Sequence, residues 1–430
     1  MCEEKLLDEI IQRLGVEVKG LYAKVAEGQV SAATVETLVR QRLWHFGAQV
    51  TGVLLQALDR RLTADRPIHD HRTRTVVTLF GPVDVTRSRC PDGTYPLDDA
   101  LGLMGRHAWT AGVQEAVSLV SCECSFETTG DLLESLLGLS IRAPSVKALA
   151  EEAGRRATPL VADAPPTTDS AENPDLRGAA GQTLIVATDG CQAPQRDGWH
   201  EVKVATLYTQ ETRCRTAAGR GKVLRKEYLA SLSDAEGFGR ELWPRASAWE
   251  VERARRVVVM GDGAPWIWNL AAEHFPGAVE IVDFYHAVEH LWTAAEAVWG
   301  DRERSEATRG WVRHYRRRLK EGRVDLVIDA LARAPARRAS PLSAEAAAVV
   351  RRNVDYFRTN RERMRYDRYR AWKLPIGTGM VEGSCKFVVQ ARFKRPGSRW
   401  SPEGLARMLA LKLMRLNHHW DRLWPHLKAG

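Results

Sequence analysis

No run of apolar residues in this sequence approaches the roughly 20 that a membrane-spanning helix needs, so a helical membrane protein is excluded. Cysteine is scarce and irregular: the seven stand at 2, 90, 122, 124, 191, 214 and 385, with one Cys-x-Cys and no Cys-x-x-Cys. An odd, scattered set is neither a disulfide framework nor a complete zinc site, and it fits reduced thiols in a reducing compartment. The opening Met1-Cys2-Glu3-Glu4-Lys5 lacks the basic-then-apolar order of a signal peptide. The expectation is a cytoplasmic protein. Internal repeats are missing, and the only stretch poor in hydrophobic residues is 158–182, which carries four prolines and reads as a linker.

What the chain has in excess is positive charge, concentrated at one end. Residues 301–430 hold 31 Lys+Arg against 13 Asp+Glu, a balance of +18. The whole chain is +9, so residues 1–300 sum to −9. A basic C-terminal third suits a polyanionic partner, because neutralising phosphates releases condensed counterions. A solvated, arginine-rich helical surface gives the same count.

Hydrophobic periodicity divides the remainder. Ile10, Ile11, Leu14, Val18, Leu21 and Val25 recur at three- and four-residue spacing, which predicts helices over 3–62. From Arg72 to Arg89 the period changes to that of a hairpin around Gly81-Pro82. Ser125–Leu137, closed by Gly138, and a second helix opened by Pro144 and running to about Arg156 form a helix-turn-helix-like pair. If that pair reads DNA, Ser145 and Lys147 face it. An ordinary αα-hairpin has the same pattern.

After the linker the pattern is α/β. Thr183–Thr188, Arg256–Met260 and Ala278–Val282 are buried-strand runs, each ending at an aspartate: Asp189, Asp262 and Asp283. Glu201–Thr209 and Lys222–Leu229 are the intervening strands, and a helix spans about Asp234–Glu250. Residues 284–370 are helical and rich in arginine. Acidic groups at strand ends in an α/β sheet meet a crevice where ligands gather. Asp189-Gly190 and Asp262-Gly263 also have the composition of plain turns. In the segment Pro375–Arg399 a helix should begin near Met380, which puts Glu382 in its first turn, where the helix dipole favours a carboxylate. There Val381, Cys385, Val388 and Arg392 share one flank and Glu382, Lys386 and Val389 the next. A helix-capping glutamate satisfies that position equally.

Four blocks in order carry a resemblance. They are Thr188-Asp189-Gly190 with Gly198-Trp199-His200-Glu201-Val202-Lys203; Gly261-Asp262-Gly263-Ala264-Pro265-Trp266; Asp283-Phe284-Tyr285-His286-Ala287; and Gly377-Thr378-Gly379-Met380-Val381-Glu382 with Gly397-Ser398-Arg399-Trp400. In these the chain resembles the DDE transposases of bacterial insertion sequences, in the broad Mutator-like group. The likeness covers roughly residues 183–425, and the N-terminal part more loosely through Pro96-Leu97-Asp98.

The resemblance implies an α/β RNase H-like catalytic domain with a helical insertion, preceded by a mainly helical N-terminal region. Its expected segments are N-terminal helices over 1–64, a β-hairpin module over 65–106, the helix pair over 107–157 and the linker. A catalytic core over 183–300, a basic insertion over 301–370 and closing helices over 371–430 follow. Asp189, Asp262 and Glu382 would be the catalytic and metal-holding residues, binding two Mg²⁺ ions with Mn²⁺ as a substitute. Such a site activates water for strand cleavage and then a 3′-hydroxyl for strand transfer. Asp283 and His286 would support it, although a satisfied helix-face histidine is an alternative for His286.

Relatives often carry paired cysteines before the Pro-Leu-Asp element. Only Cys90 stands there, so no zinc is expected at that place. Expected DNA contacts are Arg313, Arg316, Arg317 and Arg318, beside Trp311 and Tyr315, and Lys394, Arg395, Arg399 and Trp400 near Glu382. The partners implied are transposon-end and target duplex DNA and a second copy of the chain, with the protein at the nucleoid when bound. The alternatives are a DNA-binding regulator and an RNase H-like nuclease without strand transfer.

Overall fold

The β-branched runs and their punctuation set the element order. The computed structural model describes residues 3–103, 108–163, 178–215, 221–300, 304–337 and 340–425. The chain divides into two compact units, Met1–Arg156 with Asp421–Gly430, and Ala157–Trp420.

In the first unit α1 (Glu3–Ala26) and α2 (Ala32–Thr63) are followed by a hairpin of β1 (Asp70–Thr78) and β2 (Gly81–Arg89), paired from Asp70↔Arg89 to Thr78↔Gly81. The alternating side chains of this hairpin put Val76, Val83 and Val85 in a core with Leu55 of α2 and Leu97 of α3 (Pro96–Ala100). The Pro96-Leu97-Asp98 element is therefore structural here: Asp98 accepts from Arg74 (2.8 Å) and from Arg87. A second core joins α4 (Ala111–Ser121), α5 (Phe126–Leu137) and α6 (Ala143–Ala162) through Val113, Val117, Leu133 and Val146. Ser125 caps α5 by accepting from Thr128 N, and Gly138 (φ 67°) ends it in the left-handed region that glycine adopts without strain. The expected helix pair is present, but α6 continues past Arg156 through Pro159 into the segment read as linker. Residues 164–177 of that segment lie outside the described residues.

The second unit is built on a five-stranded mixed sheet in the order β7-β4-β3-β8-β9. Its strands are β3 (Thr183–Gln195), β4 (Gly198–Thr209), β7 (Glu227–Ser231), β8 (Arg256–Gly261) and β9 (Val279–Val282). β3, β4 and β7 are antiparallel neighbours; β8 and β9 run parallel to β3. The single strand expected over Lys222–Leu229 is two, because β6 (Gly221–Val223) pairs instead with β5 (Arg213–Arg215). Helices α7 (Ala235–Ala248) and α8 (Pro265–His274) connect the parallel strands. A helical block follows: α9 (Phe284–Trp299), α10 (Glu306–Lys320), α11 (Val324–Arg333), α12 (Ala344–Thr359) and α13 (Tyr366–Ala371). The chain then returns to the sheet as one helical segment: α14 (Gly379–Ser384), a π-helical stretch (Cys385–Gln390) and α15 (Ala391–Phe393). Last in this unit comes α16 (Pro402–Leu416); α17 (Trp420–Leu423) starts at its final residue and otherwise belongs to the first unit. No described helix is long and apolar enough to cross a membrane.

The edge strand β7 is tied down by polar groups. Buried Asn417, just past α16, accepts from Tyr228 N and donates to Tyr228 O, both at 2.8 Å. Glu227 is buried and receives Arg245 (2.5 Å) and the indole of Trp249 (2.6 Å). Removing one partner of such a pair leaves an uncompensated buried charge. Glu227→Ala should lower the unfolding free energy by about 3–5 kcal/mol in urea titration. Glu236→Ala, which breaks only an exposed pair with Arg240, should leave the midpoint essentially unchanged.

Candidate active site

Register places the three aspartates in one row. β3 and β8 pair in parallel up to Ala187↔Met260, and β8 and β9 up to Gly261↔Val282. Carried just past the last paired residues, the same offsets set Asp189 opposite Asp262 and Asp262 opposite Asp283. Adjacent strands lie about 4.8 Å apart, so the acids are near neighbours through backbone geometry alone. One expectation is corrected here. β3 does not end at Asp189 but runs on to Gln195, because β4 keeps pairing with it to Gln195↔Gly198. It is β8 that leaves, turning at Gly261-Asp262-Gly263 into α8. The crevice opens because β3 loses its neighbour beside Asp189. At Gly263 the backbone has φ +109°, and a Cβ would lie 2.6 Å from the Tyr356 ring, so only glycine fits that turn.

Proximity has an electrostatic cost. Asp189 is half-buried, and burial first, then the charge of Asp262, raises its pKa from 3.8 to about 6. The Gly190 N–H (2.8 Å), the Cys385 thiol (3.6 Å) and the nearby His286 imidazole pull the other way without compensating. Asp262 is held from two sides: its Oδ1 accepts from Ala264 N (2.9 Å) and its carbonyl accepts from the Tyr356 hydroxyl (2.8 Å). Tyr356 in turn stacks on His290 at 3.6 Å between centroids, and His290 Nδ1 bonds Asn353 Oδ1 at 2.7 Å. Burial lowers the His290 pKa, which keeps that ring neutral as a shelf. His286 packs edge-on against His290 (4.9 Å), with its Nδ1 3.6 Å from Glu289.

Asp283 is committed elsewhere. One carboxylate oxygen accepts from the backbone N–H groups of Tyr285 and His286 at the start of α9. The other accepts from both the N–H and the hydroxyl of Thr378. Phe284 N also donates to Ile376 O at 2.8 Å. Asp283 therefore positions the Gly377-Thr378-Gly379 entry to α14 from the end of β9, which is a supporting role with a definite physical content.

Glu382 lies in the first turn of α14, as expected. Its side chain, 64% exposed, pairs with Lys386 at 2.7 Å. Three residues on, roughly one helical turn, Cys385 touches Asp189, and Ser384 bonds Thr206 of β4 at 2.6 Å. A hydrogen bond with Cys191, then burial, raises the Cys385 pKa far above the ordinary thiol range, so this thiol stays protonated. The flanks expected for a regular helix are corrected: Val389 is fully buried and leaves the exposed flank of Glu382 and Lys386, while Phe387 is exposed. The π-helical stretch carries one extra residue in its turn and rotates everything after Lys386.

The structure thus joins Asp189 to Asp262, sets Asp283 behind them and leaves Glu382 facing Lys386. Among the described residues no group of three or more His, Cys, Asp or Glu side chains is gathered closely enough to hold a metal ion. Tyr356, His290 and Thr378 were not foreseen as site residues. Tyr356 and His290 come from helices that no motif singled out, and Thr378 lies within the Gly377–Glu382 block but was given no role of its own.

The expected DNA contacts fare unequally. In α10, Arg313 lies near Glu306 (3.5 Å), Arg317 and Arg318 near Glu321 (3.9 and 3.2 Å), and Arg316 lies over the Phe284 ring at 5.8 Å. Ser145 is half-buried, and Lys147 is 3.8 Å from Glu151. Lys394 and Arg399 are exposed. Trp400 is corrected: it is buried between the Phe393 ring (5.2 Å) and the Arg392 guanidinium (4.9 Å), and its indole donates to Phe393 O. It is an anchor for the loop before it, with no face to offer a base.

Over residues 25–422 the chain matches the profile of an uncharacterised protein family, UPF0236, and it belongs to that family. No curated protein matches it.

The raised Asp189 pKa fixes a pH dependence. Between about 3.8 and 6 the folded state holds more protons than the unfolded one, so stability falls as pH rises through that window. Two pKa units correspond to up to about 3 kcal/mol. Asp189→Asn should therefore be more stable than wild type near pH 7.5 in chelator and lose that advantage near pH 4. Equal melting temperatures near pH 7.5 would show that the Asp189 pKa is not raised.

Proposed function

We propose that the protein is a DDE-type transposase that cuts and joins DNA at Asp189, Asp262 and Glu382. The observation that carries this reading is the Asp189–Asp262 pair, whose repulsion a divalent cation relieves. The strand order β7-β4-β3-β8-β9, with three antiparallel strands followed by two parallel ones, is in keeping with an RNase H-like domain and supports the reading. So does the succession of acids on neighbouring strands and a late helix.

In this reading Asp189 and Asp262 hold Mg²⁺ or Mn²⁺, and Glu382 completes the set. The bound ions would supply charge neutralisation at the phosphate and a lowered pKa for the attacking oxygen. Asp262 is kept in place by Ala264 N and Tyr356. Asp283 fixes the entry of the helix that bears Glu382. Glu382 has to leave Lys386, and this is easily done: an exposed i,i+4 pair contributes about 0.3–0.5 kcal/mol. Duplex DNA is the substrate, and two transposon ends handled together call for at least two copies of the chain.

The opposing reading, a DNA-binding regulator, draws on the present orientation of Glu382. Cleavage and strand transfer with DNA carrying the element's own ends separate the two. Wild type should cut and join in Mg²⁺ or Mn²⁺. Asp189→Ala, Asp262→Ala and Glu382→Ala should each lose at least about a hundredfold in rate, the scale of removing one transition-state stabiliser, with end binding retained. Lys386→Ala should stay within about fivefold of wild type. A wild type that binds ends without cutting them favours the regulator. Cutting without joining favours a nuclease.

A further inference from the structure

Beyond the carboxylates, the turn between β3 and β4 carries an exposed aromatic that no expected contact included. Trp199, 58% exposed, stands beside the two-residue turn Arg196-Asp197, opposite Pro194 in the ladder. Across from it runs the loop after α15, fixed to the same strand by Arg196 N→Trp400 O (3.0 Å) and Trp400 N→Pro194 O (3.2 Å). The buried Trp400 ring holds that loop, so the two walls form one rigid piece. Between them lies an open groove of about 420 Å³, with Lys394, Arg395 and Arg399 on the side facing Trp199. The Lys394 ammonium sits over one face of the Trp199 ring, 5.3 Å from its centroid, which leaves the other face for a stacked base. Among the described residues that line the groove there is no carboxylate. The nearest acid in sequence, Asp197, is bonded to His200 at 2.9 Å.

We propose that this groove binds an unpaired nucleotide of DNA, with its base stacked on Trp199 and its phosphates met by Lys394 and Arg399. The inference rests on the proposed function for its choice of DNA, and it adds a site outside the carboxylates. An exposed indole on a rigid hairpin with cations around it suits a nucleotide, which presents a π-face and an anion together. A purely anionic ligand would leave the ring unused. A paired base has both faces covered by its neighbours, so the ligand must be extrahelical or single-stranded. Along β3, Asp189 and Pro194 are five residues apart, about 17 Å at the strand rise. A base held there would fix the register of a distorted strand at the cut.

The test uses the full chain in chelator, which prevents cleavage, with fluorescence anisotropy of a labelled oligo(dT) of about 20 nucleotides and of a blunt duplex of equal length. Trp199→Ala should bind oligo(dT) roughly five- to a hundredfold more weakly, the scale of a lost base stack, and the duplex within about twofold. Trp199→Phe should recover most of the loss. Arg399→Ala should reduce the salt dependence of oligo(dT) binding by about one ion (slope change roughly 0.7), while Trp199→Ala leaves it unchanged. If Trp199→Ala binds oligo(dT) like wild type, or weakens both ligands equally with a reduced salt slope, the groove is only a charged surface and the proposal falls. Should wild type fail to cut its ends while the Trp199 effect on oligo(dT) persists, the transposase reading fails and the nucleotide site stands.

Discussion

Two carboxylates held close in a half-dry crevice repel each other, and much of the surrounding structure serves to keep them there. The row is set by backbone pairing rather than by side-chain choice: β3 shares one edge with β4 and the other with β8, and β8 leaves where Asp189 begins to need room. The cost of keeping Asp189 charged, up to about 3 kcal/mol above pH 6 and due to burial first and the Asp262 charge second, is spread over a twelve-rung hairpin ladder and a parallel sheet whose register is specified by its buried faces. Perturbed carboxylates of this kind cluster at functional sites and also occur in structural networks, which is why the pair supports the proposed function only together with its place at the crevice.

The sequence was most legible where local chemistry and global pairing agree. Thr183–Thr188 and Arg256–Met260 are largely apolar because both faces of these central strands are covered, Ala278–Val282 holds the less buried edge strand β9, and their order along the chain carried over directly into the sheet. Reading stopped short at Asp189-Gly190. Asp-Gly has the composition of a turn, yet Gly190 sits in extended backbone because Lys203 pairs with it across the hairpin and a Cβ would collide with Glu201. Tertiary pairing overrode the local signal. The helix after Gly379 failed in a subtler way: helical spacing assumes 3.6 residues per turn, and the π-helical stretch breaks that assumption two residues past Ser384. Nothing in Cys385–Gln390 announces this, since the rotation is demanded by Val388 and Val389 both reaching the core.

Charge and aromatic content misled in the same manner, by saying what is present and not where it points. The arginines of α10 largely lie near their own acids or over a ring; those acids are already counted in the balance of +18 in residues 301–430, so the excess stands but is not concentrated on the α10 arginines. Trp400 and Trp199 show the reverse error. Both belong to the blocks that carry the family resemblance, and proximity in sequence to Glu382 favoured Trp400. Burial assigns them opposite tasks: Trp400 fixes a loop in the core, and its fixing of that loop is what leaves Trp199 with cations beside it and solvent over the rest of its ring.

Glu382 is the remaining asymmetry. Asp189 and Asp262 sit on strands whose positions are over-determined, whereas Glu382 sits on the exposed side of a helix whose other side is pinned by Ser384 and Cys385. Its pair with Lys386 is solvent-exposed on both sides, 64% and 62%, and so is worth little against any ligand that offers the carboxylate a full charge. In the proposed reading the site has two acids fixed by the sheet and a third, Glu382, that would turn in on binding a cation. Catalytic contacts are often loose before substrate arrives, and here the looseness falls on the one acid that the sheet does not control. The backbone that carries it is not loose: Asp283 grips Thr378 at the entry and Thr206 grips Ser384 six residues on. The freedom left to Glu382 is that of its exposed side chain, and an exposed i,i+4 pair restrains it by only about 0.3–0.5 kcal/mol.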